Sequence, residues 1–377
     1  MNQDSPIIDK DYKVWVRCFT FNHSKYIKDA LNGFVMQETK FPFICAIVDD
    51  CSTDGEQDVI KSFLDNEFKM DSAESFETDY ANIIVASHKT NEKCTFIVYF
   101  LKYNHYRAKK AKGPYLDFLQ DVCPYVATCE GDDYWIDKRK LQMQVDWMDT
   151  HDTYTMVCNR TKLYSEKKER YIGENYCYDR SQKVEVKDII NRTGLFISTC
   201  SVLYRTSVMD NIPDYWRKCK VGDYPLQIGC AMQGDVYYFN DMMSVYRVQN
   251  ASSWSANQKL GNFDMDRVAV IKSQVEMFNG FGHDYPKYGK IFALKIADQI
   301  NRFVPYQNTS KEEINIYLDC FREYINKYSF IGKIDLAIMC SMHRFVTGKV
   351  RTVYMWLFRS RYRKRTKMYD IFYKLKV

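Results

Sequence analysis

The sequence predicts an α/β protein, a mostly parallel sheet flanked by helices, followed by a helical C-terminal region. Three observations carry this prediction. Short apolar runs at 13–20, 43–48 and 83–86 alternate with amphipathic helical spacing through the first 90 residues, the pattern of strands joined by covering crossovers. Two apolar runs, 43–48 and 124–129, end abruptly in acidic polar segments. Beyond Ser255 strand signals fade and helical periodicity takes over. The expected division is therefore an α/β domain over 1–258 and a helical region over 259–377.

The elements follow in order. Residues 13–20 (KVWVRCFT) are β-branched and aromatic and read as a buried strand. After Asn22-His23, the positions Tyr26, Ile27, Ala30, Leu31, Phe34 and Val35 fall on one helical face. The run 43–48 (FICAIV) is a second strand, and Val59, Ile60, Phe63 and Leu64 mark a helix over about 56–65. Residues 83–86 are a third strand. Between 92 and 128 the pattern allows a strand at 95–101 and a helix at 106–120 interrupted by Gly113-Pro114. Residues 124–129 (PYVATC) form another buried strand, with a helix from Lys138 to about Thr150 after it. Later strands are expected at 200–205, 235–240 and 243–248. Helices are expected at 264–279, 286–304, 311–327, 331–346 and 350–373.

Hydrophobic residues make up 46% of the 377 and charged residues 27%, an ordinary globular balance. The 13 cysteines show no CxxC pair, so neither a zinc site nor a disulfide framework is suggested and a reducing compartment is expected. No apolar stretch reaches the roughly 18 residues of a membrane span, and the first ten residues lack the apolar core of a secretory signal. The expected location is cytoplasmic. Net charge is +6, yet the segment from Lys349 to Val377 holds ten Lys and Arg against Asp370 alone. That tail carries +9 and leaves −3 for the rest, which excludes a uniformly basic nucleic-acid binder.

In open α/β sheets ligands bind beyond the carboxyl ends of the strands, so polar residues just after apolar runs are the places to search. Glu130-Gly131-Asp132-Asp133 packs three carboxylates into four residues at such an end. Crowded like charges repel unless a cation joins them, and hard oxygen ligands suit Mg²⁺ or Mn²⁺ bridging a carboxylate and substrate phosphates. Asp49-Asp50 with Ser52, Thr53 and Asp54 closes the second strand. Asp50 there is placed to accept hydrogen bonds from a nucleoside, while Asp54 suits a helix N-cap.

Thr20-Phe21-Asn22 with Tyr26-Ile27, then Asp49-Asp50-Cys-Ser-Thr-Asp, then Glu-Gly-Asp-Asp-Tyr-Trp followed by Lys140-Leu141-Gln142, together resemble glycosyltransferase family 2. These are inverting enzymes of the GT-A, Rossmann-like fold, found among bacterial surface-polysaccharide glycosyltransferases. The likeness runs over roughly residues 13–255. It implies that Thr20, Asn22 and Asp50 line a nucleotide pocket, and that Asp132 holds Mn²⁺ or Mg²⁺ with Glu130 and Asp133 beside it. It implies a nucleotide-sugar donor, with UDP-sugars the common case, and a carbohydrate or lipid-linked acceptor. Asp223, in Gly222-Asp223-Tyr224-Pro225-Leu226, matches the segment that supplies the base; it equally suits a helix cap. Arg247, in Tyr246-Arg247-Val248-Gln249, matches the closing loop near the diphosphate, with a structural ion pair as the other reading. Ser252-Ser253-Trp254-Ser255 belongs to the same loop, and many relatives carry His where Gln249 stands.

Two further function classes remain. A nucleotidyltransferase would show a glycine- and lysine-rich loop early in the chain, and residues 13–25 have none. A catalytically silent binding subunit of a polysaccharide assembly would bind donor without turnover. In the tail, Trp356, Leu357 and Phe358 precede five cationic residues and Ile371, Phe372 and Tyr373 follow. That interleaving fits a peripheral segment on an anionic membrane surface, or a terminal helix docked on its own domain.

Overall fold

The computed structural model describes residues 11–192, 196–210, 212–248, 265–303 and 311–327. Gln249, the segment 252–255, the expected helices at 331–346 and 350–373, and the basic tail lie outside them.

The chain divides into two compact units. One comprises Met1–Glu185, Leu195–Ile212 and Gly229–Gln258; the other comprises Val186–Gly194, Pro213–Ile228 and Lys259–Val377. The second unit therefore takes in two earlier segments besides the C-terminal helices.

The first unit opens with β1 (Val14–Thr20), α1 (Ile27–Val35), β2 (Phe43–Asp49) and α2 (Glu56–Glu67), then β3 (Glu74–Glu77), β4 (Ala81–Ser87) and β5 (Cys94–Leu101). It continues with α3 (Asp117–Val122), β6 (Tyr125–Thr128), β7 (Tyr134–Trp135), α4 (Lys140–Thr150), β8 (Tyr154–Ser165), β9 (Arg170–Asn175) and β10 (Gln182–Lys183). Further along the chain, α5 (Val186–Arg192), α6 (Asp214–Arg217) and the first half of α7 (Asp223–Gln233) belong to the second unit, while β11 (Leu203–Arg205) and β12 (Asp235–Val248) belong to the first. One sheet orders the strands β10-β12-β8-β11-β6-β1-β2-β5-β4-β3, with β7 paired to β12 and β9 to β8.

The central run β6-β1-β2-β5 is parallel, as expected for strands joined by covering helices. The strand expected at 83–86 is β4, and it runs antiparallel to β5. Only six residues separate Ser87 from Cys94, too few for a crossover, so a hairpin is the available connection. The expected helix over 106–120 is instead a turn at 105–109, a 3₁₀ turn at Gly113–Tyr115 and the short α3. Pro114 sets that break, since it has no amide proton to continue a helix. The two strands expected at 235–240 and 243–248 are the single β12, with register shifts around Met242.

β2 and β5 are buried along their whole length, which explains why they read as continuous apolar runs rather than alternating ones. On one face, Phe34 of α1 meets Trp135 edge-on at 4.9 Å, and the Phe68 and Phe96 rings lie 4.4 Å apart. Twelve cysteines in the described residues are free thiols, nine of them buried, where they pack as small hydrophobes.

In the second unit α8 (Met265–Asp284), α9 (Gly289–Phe303) and α10 (Lys311–Lys327) match the expected helices within a few residues. Phe281 of α8 stacks on Phe292 of α9 at 5.9 Å, and Tyr215 of α6 donates to Asp284 at 2.7 Å. No helix among the described residues is long and apolar enough to cross a membrane.

Candidate active site

Because β1 lies between β2 and β6 and runs parallel to both, the carboxyl ends of three strands share one edge. Thr20, Asp49-Asp50 and Cys129-Glu130 therefore come together from three separate stretches of sequence.

The first two loops are laced to each other. Asn22 and Cys51 both adopt left-handed backbone, with φ of 55° and 59°, a conformation that costs energy for residues with a Cβ and persists only where surroundings fix it. Here Asn22 N–H donates to Ser52 Oγ at 2.9 Å, and Thr53 N–H donates to Asn22 Oδ1 at 2.8 Å. Beneath them Glu56 is fully buried. It accepts the Thr20 hydroxyl, His23 N–H at 2.8 Å and the Ser52 hydroxyl at 2.8 Å. Burial raises the Glu56 carboxyl against the pull of those donors. Asp54 accepts Glu56 N–H at 3.1 Å and Ser24 N–H at 2.9 Å, but the N-cap of α2 is Gly55 in left-handed backbone, so Asp54 sits one residue before the cap expected of it and ties the first loop to the second.

Asp50 is buried at 1% exposure, and its carboxylate is occupied by the chain itself. Oδ1 accepts His105 N–H at 2.6 Å, while Oδ2 accepts Tyr106 N–H at 3.1 Å and the Lys112 ammonium at 2.9 Å. The segment 104–112 thus straps across the end of β2. His105 fixes the strap by meeting the Tyr115 hydroxyl at 2.8 Å, and Tyr115 stacks on Tyr80 at 3.9 Å. Lys112 is the counter-ion of Asp50.

The acidic turn closes the edge. Glu130 is exposed, whereas Asp132 and Asp133 are buried. Gly131 donates its N–H to Phe19 carbonyl at 3.1 Å, and a Cβ there would meet Thr20 Oγ1 at 2.0 Å. Only glycine lets the turn approach β1 this closely. That approach sets Asp132 Oδ2 3.9 Å from His23 Nε2. Asp133 accepts Arg247 N–H at 2.8 Å on Oδ1. Burial, with Asp132 beside it, holds the Asp133 carboxyl well above the usual carboxylate range.

Arg247, on β12, reaches the turn from the other side. Its Nη1 donates to Asp132 carbonyl at 2.8 Å, its Nη2 binds Asp29, and its Nε lies 2.9 Å from Glu166 Oε1. The guanidinium sits 5.0 Å from the Tyr26 ring and 4.5 Å from the Tyr134 ring. Of the two readings of this residue, the structural ion pair describes its contacts.

Asp223 belongs to the second unit and opens α7. Its Oδ1 accepts Tyr224 N–H at 2.8 Å, and burial raises its carboxyl above the ordinary value.

The donors suit a divalent cation. Asp132 and His23 offer an oxygen and a nitrogen a few ångströms apart. Among the described residues no three His, Cys, Asp or Glu side chains form a ready cage. Mg²⁺-like ions typically take one or two carboxylates plus substrate phosphates and waters, so this set fits a cation shared with a diphosphate.

A family model, "Glycosyl transferase family 2", matches residues 18–212, just over half of the chain. The chain belongs to glycosyl transferase family 2. Among curated relatives, uncharacterized proteins of Mycobacterium bovis and Mycobacterium tuberculosis are 28% identical over 239 residues. That stretch is 62% of this chain and 58% of each relative, so the match spans under three-fifths of their length. Among solved structures, S. aureus TarS residues 1–349 in complex with UDP-GlcNAc gives a TM-score of 0.55 at 14% identity, covering 83% of this chain and 80% of that one. Longer S. aureus TarS gives 0.54 at 15% identity over 84% and 49%. At that identity the likeness speaks for the GT-A fold.

Within this family-2 site, sequence reasoning gave no role to His23 or Glu56 and did not pair Lys112 with Asp50. His23 directly follows Asn22 in the first loop, and Glu56 follows the Asp54-Gly55 turn; both sit beside recognised motifs. Lys112 gave no local signal, since 61 residues separate it from the aspartate it pairs with.

Proposed function

We propose that this chain is an inverting glycosyltransferase that moves one sugar from a nucleotide-diphosphate sugar to a hydroxyl of a carbohydrate or lipid-linked acceptor. The observation that carries the reading is the acidic turn Glu130–Asp133, seated by Gly131 against β1 with Asp132 facing His23. Family membership supports the same class.

In this proposal Thr20, Asn22 and Asp50 line the nucleoside side of the pocket, and Asp132 holds Mn²⁺ or Mg²⁺ with Glu130 and Asp133 alongside. When bound, such a cation would offset the negative charge of the diphosphate leaving group. Arg247 fixes the turn through its contacts to Asp132 and Asp133, so its service to the diphosphate is indirect. Asp223 takes the acceptor proton; the acceptor oxygen then bonds to the anomeric carbon as the bond from that carbon to the diphosphate oxygen breaks. The raised carboxyl of Asp223 suits this work, since a base is most effective when its pKa approaches the working pH. A UDP-sugar is the proposed donor, by analogy with the TarS complex, and surface polysaccharide synthesis the proposed setting. The basic tail would hold the enzyme at the inner face of the membrane.

Asp223→Asn tests the base. We expect transfer to be abolished while donor binding, followed by calorimetry, stays within about twofold. Near-normal turnover would remove Asp223 from the role.

A further inference from the structure

We propose that His23 is a metal ligand, pairing its Nε2 with Asp132 on the cation. The inference rests on the metal-dependent reading above and adds a residue to it.

The hydrogen-bond arithmetic around Thr20 carries the argument. The Thr20 hydroxyl has one proton, and that proton goes to Glu56 Oε1. Glu56 also takes His23 N–H and the Ser52 hydroxyl, so it acts as an acceptor throughout. The Thr20 oxygen therefore has only lone pairs left for His23 Nδ1, which lies 3.1 Å away. Nδ1 must carry the proton and donate it. With Nδ1 so engaged, Nε2 is the nitrogen left for a metal bond, and it lies 3.9 Å from Asp132 Oδ2.

That separation is too long for a hydrogen bond. Bonds of about 2.0–2.2 Å put two ligands of one octahedral ion about 2.8–3.1 Å apart when adjacent and about 4.0–4.4 Å when opposite, so a small shift of either side chain from 3.9 Å lets both reach one ion. Both side chains retain 12–13% exposure. Metal-bound imidazoles characteristically donate their second N–H to an oxygen that fixes the tautomer, and Thr20 backed by Glu56 is such an oxygen. The same loop thus supplies an outer support, Thr20, and a ligand, His23, three positions apart on either side of Asn22.

The test is Mn²⁺ binding to the full chain, alone and with UDP, read by electron paramagnetic resonance and electron spin-echo envelope modulation. We expect a directly bound ¹⁴N coupling in the wild type that changes to a ¹⁵N pattern when histidine is ¹⁵N-labelled. In His23→Gln the coupling should vanish and Mn²⁺ affinity fall about tenfold or more, the scale on which metal sites respond to losing even an outer partner. His23→Glu, which restores an anionic ligand, should bind Mn²⁺ with no nitrogen coupling and so report an intact fold. Mn²⁺ that binds through Asp132 with no nitrogen coupling, or with a coupling that persists in His23→Gln, would overturn the role of His23 and leave the metal reading standing. No Mn²⁺ binding with or without UDP would overturn both.

Discussion

The backbone N–H of Arg247 meets Asp133 Oδ1 at 2.8 Å while the Arg247 Nη1 meets the Asp132 carbonyl at 2.8 Å, so β12 grips the acidic turn at two adjacent points. This makes Arg247 a brace for the site. Arg247→Ala should lower unfolding free energy by about 2–3 kcal/mol, below the usual cost of breaking a fully buried pair because Asp29 is half exposed. Arg247→Lys should recover little, since an ammonium cannot reach Asp29, Glu166 and the Asp132 carbonyl together. Urea unfolding of the three proteins decides it, and an unchanged midpoint in Arg247→Ala would contradict the brace.

Lys112 occupies an oxygen of the carboxylate proposed to bind the nucleoside. If Asp50 takes the nucleoside, the ammonium competes with it. Lys112→Met should then tighten UDP binding several-fold by calorimetry, and Asp50→Asn should weaken it. Weaker binding in Lys112→Met would instead put the ammonium on the nucleotide.

Gly131→Ala should cost about 100-fold in nucleotide release, the scale of a misplacement of about 1 Å near the chemistry. Its new Cβ would lie 2.6 Å from the Cβ of Thr20, which is buried and has no room to retreat. Melting and release assays on the variant check this; wild-type release would mean the turn need not lie so close to β1.

How much of this was legible in the sequence follows from range. The strands and helices of the parallel centre were readable because β1, β2 and β6 are buried runs with local periodicity, and the acidic turn announced itself at the end of one of them. β8 was missed because its apolar run Met156-Val157-Cys158 is only three residues long before the polar stretch Asn159-Arg160-Thr161-Lys162 interrupts it. The strap on Asp50 and the brace on Asp133 were illegible for a different reason. They join residues 62 and 114 positions apart, and no local pattern records such pairings.

Lys140 is fully buried, with its ammonium 4.4 Å from the Trp135 ring and 2.7 Å from Gln144 Oε1. Burial pushes it down to about 7. Between that value and the ordinary lysine value the unfolded chain binds a proton that the folded chain does not, so stability rises with pH across this window. Relative to Lys140→Met, the wild type should gain up to about 1.4 kcal/mol per pH unit from pH 7 to 10. Unfolding of both proteins along that pH series measures the difference, and parallel curves would mean that the amine is charged in the fold.

The central claim is that Asp132 holds a divalent cation on the diphosphate of a nucleotide-sugar donor. Its most direct measurement is nucleotide release across a panel of sugar nucleotides with Mn²⁺, Mg²⁺ or chelator, comparing wild type with Asp132→Asn. We expect release from one or two donors that needs the metal and falls at least about 100-fold in the variant, the loss typical of removing one group that stabilises developing charge. Release that survives both chelator and Asp132→Asn would contradict the metal role, and donor binding with no release under any condition would point to a silent binding subunit.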